Sequence, residues 1–307
     1  MIGIVILNYM SWKLTVDCIK SIQHTMEQSS YRIYVIDNSP VSCKQEILEN
    51  IDMASSEIRY HQVENHGYSA GNNVGIQEAL DDQCEYILVT NNDIIFDTKA
   101  ISNLKTYLDE HQDVGIVGPK VYLPDRTIQE INMVVKTTLK GKYLYLLRKT
   151  PFRFLSKKYV EAFSYQKQDI SESFDVHSVS GCCFMMSREC AEKVTPFDET
   201  TFLYEEEVIL GVLMERQKLK TVYVADAKLT HYKGMSNKTI GDKSYMYLVE
   251  SEMYYCRKYL GSTLLRLLPL YMIRSGIFFK RAITNAGYRA IRSEYINRTM
   301  KQLRGEN

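Results

Sequence analysis

Five short apolar runs alternate with amphipathic stretches over the first 123 residues, and this alternation restricts the fold more than any other feature. IGIVIL (2–7), RIYVID (32–37), EIRYHQV (57–63), EYILVT (85–90) and VGIVGPKVYL (114–123) read as strands. Helices are expected between them at 12–24, 43–51, 70–80 and 99–111. Strands of this length separated by helical connections imply an α/β fold with a doubly wound, mostly parallel sheet. Such sheets bind ligands beyond the carboxyl ends of their strands, so polar residues there carry the most weight.

The second half is less regular. Residues 125–175 are rich in Lys, Tyr and Phe and read as an insertion. SGCCFMMS (180–187) reads as a buried strand, a helix is expected to begin near Tyr204 and run to 217, and TVYVAD (221–226) reads as another strand. From Lys243 the pattern is helical to the end. A length of 307 residues suits one large domain or two.

Charge is unevenly distributed. The formal net charge is +1, but residues 257–307 hold eleven Lys/Arg against two acids, while the first 256 hold 27 bases against 35 acids. A basic end on a mildly acidic body suits an anionic membrane or nucleic acid. No nucleic-acid-binding motif accompanies the charge, which argues against the latter. The seven cysteines include no CxxC pair and are expected as free thiols in a reducing compartment. The opening IGIVILNY lacks the basic start and cleavage site of a secretion signal and is expected to belong to the fold. Arg266, Pro269 and Arg274 interrupt the most apolar late stretch (262–279), which argues against a spanning helix.

Four successive strands end in polar groups: Asn8 and Tyr9; Asp37, Asn38 and Ser39; the stretch from Asn65 to Gly75; and Asn91, Asn92 and Asp93. Any one of these suits a turn or a helix cap. Four on one sheet edge favour a ligand site. NHGYSAGNNVG (65–75) brings three glycines, Gly67, Gly71 and Gly75, to the start of a helix, where backbone N–H groups favour an anion. Asp93, a lone carboxylate among amides, suits Mg²⁺ or Mn²⁺, which share phosphate oxygens and need few protein ligands. A turn aspartate is the alternative.

TFLYEEEVIL (201–210) sets Glu205, Glu206 and Glu207 between apolar flanks. Adjacent like charges raise at least one carboxyl pKa, which suits a general base; the alternative is an acidic helix start favoured by the dipole. His231 is a metal ligand, a phosphate contact or a structural hydrogen-bonder. Ser180 and Gly181 border a pocket or make a plain turn.

IVILNY, VIDNS, NHGYSAGNN, NND, SGCCFMMS, FLYEEE and HYKGMS, in this order, resemble family 2 glycosyltransferases with the GT-A fold. The similarity is greatest to the rhamnosyltransferase-like branch of bacterial surface polysaccharide synthesis. It runs over residues 2–238, and implies a GT-A catalytic domain at 1–240 with a helical extension at 241–307. Residues 1–123 would be the nucleotide-sugar half and 124–240 the acceptor and catalytic half. The resemblance implies inverting transfer from a dTDP- or UDP-sugar, dTDP-rhamnose among them, to a saccharide or lipid-linked acceptor. By position, Asp37 matches the aspartate at the nucleotide base, with Asn38 beside it, and Asn8 and Tyr9 line the same pocket. Asn65, Gly67, Tyr68, Gly71, Asn72 and Asn92 lie by the diphosphate and donor sugar. Asp93 matches the last aspartate of the metal motif, and Asn91 stands where the first would be. Glu206 and Glu207 match the Glu-Asp pair whose second member is the base. His231 matches a metal-ligating histidine, and Ser180 and Gly181 border the acceptor.

If 262–305 is one helix, Arg266, Arg274, Arg281 and Arg292 share a face within about 80°. That arrangement suits either peripheral contact with an anionic membrane, at the inner face of the plasma membrane of a cytoplasmic protein, or a helical cap or homodimer contact. Two other functions stay open. A sugar-phosphate nucleotidyltransferase would want a Gly-rich basic signature after the first strand, where NYMSWKLT stands. A non-catalytic nucleotide-sugar-binding protein fits the missing first aspartate.

Overall fold

In the computed structural model of the chain, residues 1–26, 30–53, 57–129, 133–232 and 241–306 are described. The alternating runs become β1 (Ile2–Asn8), α1 (Trp12–Thr25), β2 (Tyr31–Asp37), α2 (Lys44–Leu48), β3 (Glu57–Gln62), α3 (Tyr68–Asp81) and β4 (Tyr86–Asn91). Then follow β5 (Ile94–Phe96), α4 (Ala100–Glu110) and β6 (Val114–Tyr122). The second half holds α5 (Leu139–Leu147), α6 (Arg153–Phe163), β7 (Phe174–Val176), β8 (Cys183–Ser187), α7 (Arg188–Val194), α8 (Glu206–Gln217) and β9 (Lys220–His231). The chain ends in α9 (Lys243–Tyr254), a π-helical turn at Tyr255–Tyr259, α10 (Leu264–Thr284), α11 (Ala286–Ala290) and α12 (Arg292–Arg304).

These strands form one sheet in the order β3-β2-β1-β4-β8-β6-β9-β5, with β7 beside β9. β3, β2, β1 and β4 run parallel, and β8 inserts antiparallel between β4 and β6. β1, β2 and β4 are buried on both faces, which explains their continuous apolar runs, whereas β3 lies at the sheet edge and is half-buried. All seven cysteines are free thiols.

Three boundaries differ from the sequence expectation, each for a local reason. α8 begins at Glu206 because Tyr204 and Glu205 have φ of 76° and 70°, outside the helical region. β9 continues past 226 to His231 because a register shift after Pro119 lets it keep pairing with β6 and then with β5. His231 therefore sits on the last strand rather than beyond it. β8 begins at Cys183, since the Cys182 N–H turns back to Ser180 Oγ at 3.2 Å.

The C-terminal helices form a third apolar cluster with α8, in which Phe278 stacks on Tyr295. A line of alternating charges beneath it ties them to the acidic turn. Lys142 on α5 bonds both oxygens of Glu205 at 2.5 and 2.7 Å and lies 3.8 Å from Glu252. Arg274 holds Glu252 through two bonds of 2.6 and 2.7 Å. Burial alone would lower the Lys142 pKa, but Glu205 and Glu252 hold it above its ordinary value. The shared arginine face does not form. Arg274 points inward to Glu252, and Arg281 donates to the Tyr288 hydroxyl at 2.8 Å. Arg292 lies on a separate helix, because Asn285 ends α10 and caps α11 through bonds from the N–H groups of Gly287 and Tyr288.

α10 passes through Pro269 with help from α5. Tyr143 Oη donates to Arg266 O at 2.7 Å and accepts from Leu270 N at 3.2 Å, so the hydroxyl stands in the helical ladder beside the proline.

Removing the cation at the centre of the buried charge line leaves two carboxylates facing each other. Lys142→Met is expected to cost about 3–5 kcal/mol of unfolding free energy, read from urea denaturation. A change under about 1 kcal/mol would show that the line is not integral to the fold.

Candidate active site

The carboxyl ends of β1, β2 and β4 meet in a buried polar network. Asn8 donates to Asp37 Oδ1 at 2.8 Å and to Ser39 Oγ at 3.3 Å. Asn8 Oδ1 accepts from Thr15 at 2.8 Å and from Asn92 at 3.0 Å. Asp37 also accepts from the N–H groups of Ser39 and Cys43 and from the Tyr60 hydroxyl. Burial would raise its pKa, but these bonds outweigh burial and hold it below the ordinary carboxylate value. Asn8, Asp37 and Asn92 are thus committed to one another, and Asp37 is fully buried. Asp37 and Asn8, expected at the nucleotide base, support a surface that carries Asn38 and Ser39. A cavity of about 560 Å³ lies there, lined by Tyr9, Asn38, Ser39, Pro40, Gln62, Val63, Glu64 and Asn65. Gln62 and Glu64 escaped the sequence reading because β3 gives no motif to mark them.

The glycine-rich segment divides its roles. Gly67 has φ of +106°, and a Cβ there would lie 2.3 Å from Phe202 O, so only glycine fits. Asn65 Oδ1 accepts from Gly67 N at 3.1 Å and fixes the entry to α3. That helix starts at Tyr68, whose N–H bonds Phe202 O at 3.0 Å. A Cβ at Gly71 would meet Leu7 at 2.4 Å and the Asn38 amide at 3.0 Å. Gly71 serves the packing of α3 on β1. Asn72 is buried and donates to Tyr68 O at 2.9 Å, while its Oδ1 has no hydrogen-bond partner among the described residues.

Tyr68 and Gly181 carry the site across to the acidic turn. The Tyr68 hydroxyl donates to Gly181 O at 2.6 Å, and Gly181 N donates to Glu207 Oε1 at 3.2 Å. A Cβ on Gly181 would lie 3.1 Å from that carboxylate oxygen and 3.3 Å from the Tyr68 hydroxyl, so the bare backbone permits both contacts. Ser180 Oγ caps the turn one residue earlier.

Two consecutive left-handed residues, Tyr204 and Glu205, aim the first turn of α8. Each costs roughly 1–2 kcal/mol relative to the right-handed form. Lys142 holds Glu205, the Tyr204 hydroxyl meets Ser244 Oγ at 2.5 Å, and Ser251 donates to Leu203 O at 2.8 Å. Glu207 borders a cavity of about 290 Å³ lined also by Lys142, Tyr145, Tyr159, Phe163, Tyr204 and Leu248. Burial, then the charge of Glu207, pushes the Glu206 carboxyl well up. The like-charge pressure expected of the triad thus falls on Glu206. Its Oε1 is buried with no partner among the described residues and faces a small apolar hollow with Phe184 and Leu213. Glu206 therefore borders this hollow only, whereas Glu207 borders both the hollow and the larger cavity.

Asp93 and His231 meet where β5 pairs with the end of β9. His231 Nε2 is 3.2 Å from Asp93 Oδ1, and Nδ1 faces Gln129 Oε1 at 2.8 Å. Apart from that ion contact, Asp93 Oδ1 has no hydrogen-bond partner among the described residues. One carboxylate and one imidazole fit a cation that keeps water and takes phosphate oxygens. No cluster of three His, Cys, Asp or Glu side chains occurs among the described residues, so a closed protein cage is not what these groups build. Cys182 links the two halves: its carbonyl accepts from Asn91 N at 2.8 Å, and its neighbour Gly181 holds Glu207. The expected motif HYKGMS lies outside the described residues after Tyr232.

Residues 3–195 match the family model described as glycosyl transferase family 2. The chain belongs to this family. The matched region includes Asp37, Asp93 and Gly181 and stops short of Glu207 and His231. The family member is 26% identical over 152 residues to N-acetylglucosaminyl-diphospho-decaprenol L-rhamnosyltransferase of Mycobacterium tuberculosis, covering 50% of this chain and 48% of that protein. It is 27% identical over 180 residues to the low-salt glycan biosynthesis hexosyltransferase Agl10 of Haloferax volcanii, covering 57% and 50%. The chain spans about half the length of these curated relatives. Among solved structures, GalNAc-T7 with UDP, GalNAc and Mn²⁺ is similar with a TM-score of 0.56 at 12% identity, over 82% of this chain and 50% of that one. The S. aureus TarS 1-349 complex with UDP gives 0.53 at 11%, over 84% and 66%. This likeness establishes the GT-A fold.

Burial alone would lower the His231 pKa from 6.5, but Asp93 and Cys182 reverse this and push it up to about 10. A group raised on folding stabilises fully below its unfolded value and loses that contribution as pH rises through its folded value. In chelator, the stabilisation from this contact is therefore complete below about 6.5 and lost as pH rises through about 10. Urea denaturation across that range is expected to show the decline in wild type and its absence in His231→Gln. A cation taking Nε2 must displace the same proton, so Mn²⁺-induced thermal shifts should grow with pH.

Proposed function

We propose that this protein is an inverting glycosyltransferase that moves a sugar from a nucleoside-diphosphate sugar to a saccharide or lipid-linked saccharide. One observation carries the reading. The 180–182 turn holds Glu207 on one side through Gly181 N and stands beside the Asp93–His231 pair on the other. A base and a cation-binding pair flanking one short turn is the arrangement a displacement at an anomeric carbon requires.

The nucleoside occupies the cavity above the Asn8–Asp37–Asn92 network, where Tyr9, Asn38, Gln62 and Glu64 read the base and ribose. Asp93 and His231 would hold Mg²⁺ or Mn²⁺, which when bound neutralises charge on the leaving diphosphate. The acceptor sugar enters the cavity beside Glu207, where Tyr145, Tyr159 and Tyr204 offer ring faces and hydroxyls to a pyranose. Glu207 takes the proton of the attacking hydroxyl. The new carbon–oxygen bond forms as the bond from the anomeric carbon to the phosphate oxygen breaks, and the electron pair leaves with the nucleoside diphosphate. Attack from the face opposite the leaving group inverts the configuration. Burial and the charge of Glu207 push the Glu206 carboxyl well up, which disfavours a second negative charge beside the base.

A dTDP- or UDP-sugar, dTDP-rhamnose among them, is the donor this reading favours. The name of the mycobacterial relative specifies a rhamnosyl transfer to a diphospho-decaprenol-linked sugar, and TarS was solved with UDP. Work at the cytoplasmic face of a plasma membrane, in surface-polysaccharide synthesis, is the setting that fits such a donor and acceptor.

Glu207→Gln keeps the size and the bond to Gly181 N but cannot take a proton. Turnover is expected to fall by about 10²–10⁴-fold with donor binding retained, measured by nucleoside-diphosphate release and by donor-induced thermal shift. Near wild-type turnover would remove Glu207 from the mechanism. Asp93→Asn should abolish the Mn²⁺-dependent part of donor binding while leaving the fold intact.

A further inference from the structure

α10 turns its apolar side outward. On a helical wheel, Leu265, Leu268, Pro269, Met272, Ile273, Gly276, Phe279 and Ile283 fall in an arc of roughly 140°. Leu265 is 82% exposed, Ile283 77% and Met272 64%. The inward side carries Leu267, Leu270, Phe278 and the ion-paired Arg274. This reverses the arginine face expected from the sequence: the cations that pair are inside and the hydrocarbon is outside. The stripe is about 30 Å long. Among the described residues no helix is long and apolar enough to cross a membrane.

A second exposed apolar element lies at the other end of α5. The link between α5 and α6 and the first turn of α6 expose Phe152, Phe154 and Leu155, with Phe154 at 67%. Arg148, Lys149, Arg153, Lys157 and Lys158 surround them, and no acid occurs between Glu130 and Glu161. The same helices, α5 and α6, wall the cavity beside Glu207. α5 is bound to α10 through the Tyr143 hydroxyl.

We infer that the outer stripe of α10 and the α5–α6 tip dock this protein onto an anionic lipid bilayer, lying on it rather than spanning it. Charge selects this occupant. Residues 261–293 carry six Lys/Arg and no acid; Arg274 is neutralised by Glu252, but the other five are exposed, so a second copy seated on the stripe would bring like charges together, whereas anionic headgroups complement them. The apolar arc would enter the acyl boundary while Arg266 and Lys280, both exposed at its edge, meet headgroups. The helices of that tip, α5 and α6, also wall the cavity beside Glu207, which ties the docked surface to the proposed acceptor site. The docking itself does not depend on the transfer reaction.

The test is flotation with vesicles of phosphatidylcholine alone and of phosphatidylcholine with phosphatidylglycerol, which reads bound protein and not turnover. The full chain is expected to float with the anionic vesicles, to stay down with phosphatidylcholine, and to be released in part by salt. M272E/I283E and, separately, F152S/F154S should each lower the bound fraction by about tenfold. Thermal melting and donor hydrolysis in vesicle-free solution should stay at wild-type levels. Absence of flotation, or equal flotation of wild type and both variants, overturns the inference. A wild-type dimer in light scattering that M272E/I283E dissociates also overturns it, since the stripe would then be a contact between copies.

Discussion

The Lys142–Glu205 ion pair is the contact on which the active half of this protein depends. Two adjacent left-handed residues are an unfavourable way to begin a helix, and Tyr204 and Glu205 adopt that conformation only because their side chains are held. The cation comes from the insertion between β6 and β7, and its second partner, Glu252, comes from the C-terminal helices through Arg274. Three distant segments therefore converge to aim one turn. That turn sets the direction in which Glu207 leaves α8. Burial of such charges is costly, and the alternation of sign from Glu205 through Lys142 and Glu252 to Arg274 offsets it.

A second buried polar assembly does the corresponding work at the nucleotide end. Asn8, Asp37 and Asn92 sit on three neighbouring strand ends and saturate one another, with Ser39, Cys43 and Tyr60 completing Asp37. A fully bonded carboxylate in the interior is a rigid foundation, and it holds the backbone of 38–39 at the cavity wall. The two assemblies meet through α3, whose first residue bonds Phe202 just ahead of the acidic turn.

Much of the fold was legible because parallel strands buried on both faces must be continuously apolar and helices crossing them must be amphipathic. The same regularity marked the strand ends where Asn8, Asp37, Asn65 and Asp93 lie. Individual roles were less legible. A glycine needed for close helix-on-strand approach looks the same in sequence as one needed for a phosphate, and Gly71 sits against Leu7 where α3 packs on β1. Gln62 and Glu64 line a cavity without any motif, because cavity lining follows from where β3 ends. The arginines of the C-terminal region misled because one continuous helix was assumed, whereas Asn285 stops α10 and turns the chain.

By itself the sequence determined the α/β architecture, the family motifs, the glutamate triad and the basic charge of the C-terminal region. These are local properties, set by periodicity, residue type and order along the chain. Only the tertiary structure decided which glutamates border the larger cavity, that Asp93 meets His231, and that α10 turns an apolar stripe outward while Arg274 points in. Those outcomes depend on partners brought together from separate parts of the chain, as where Tyr143 meets Leu270 and Asp93 meets His231, each more than a hundred residues apart. A side chain's direction is settled by the charge or surface that meets it, and the sequence does not carry that meeting.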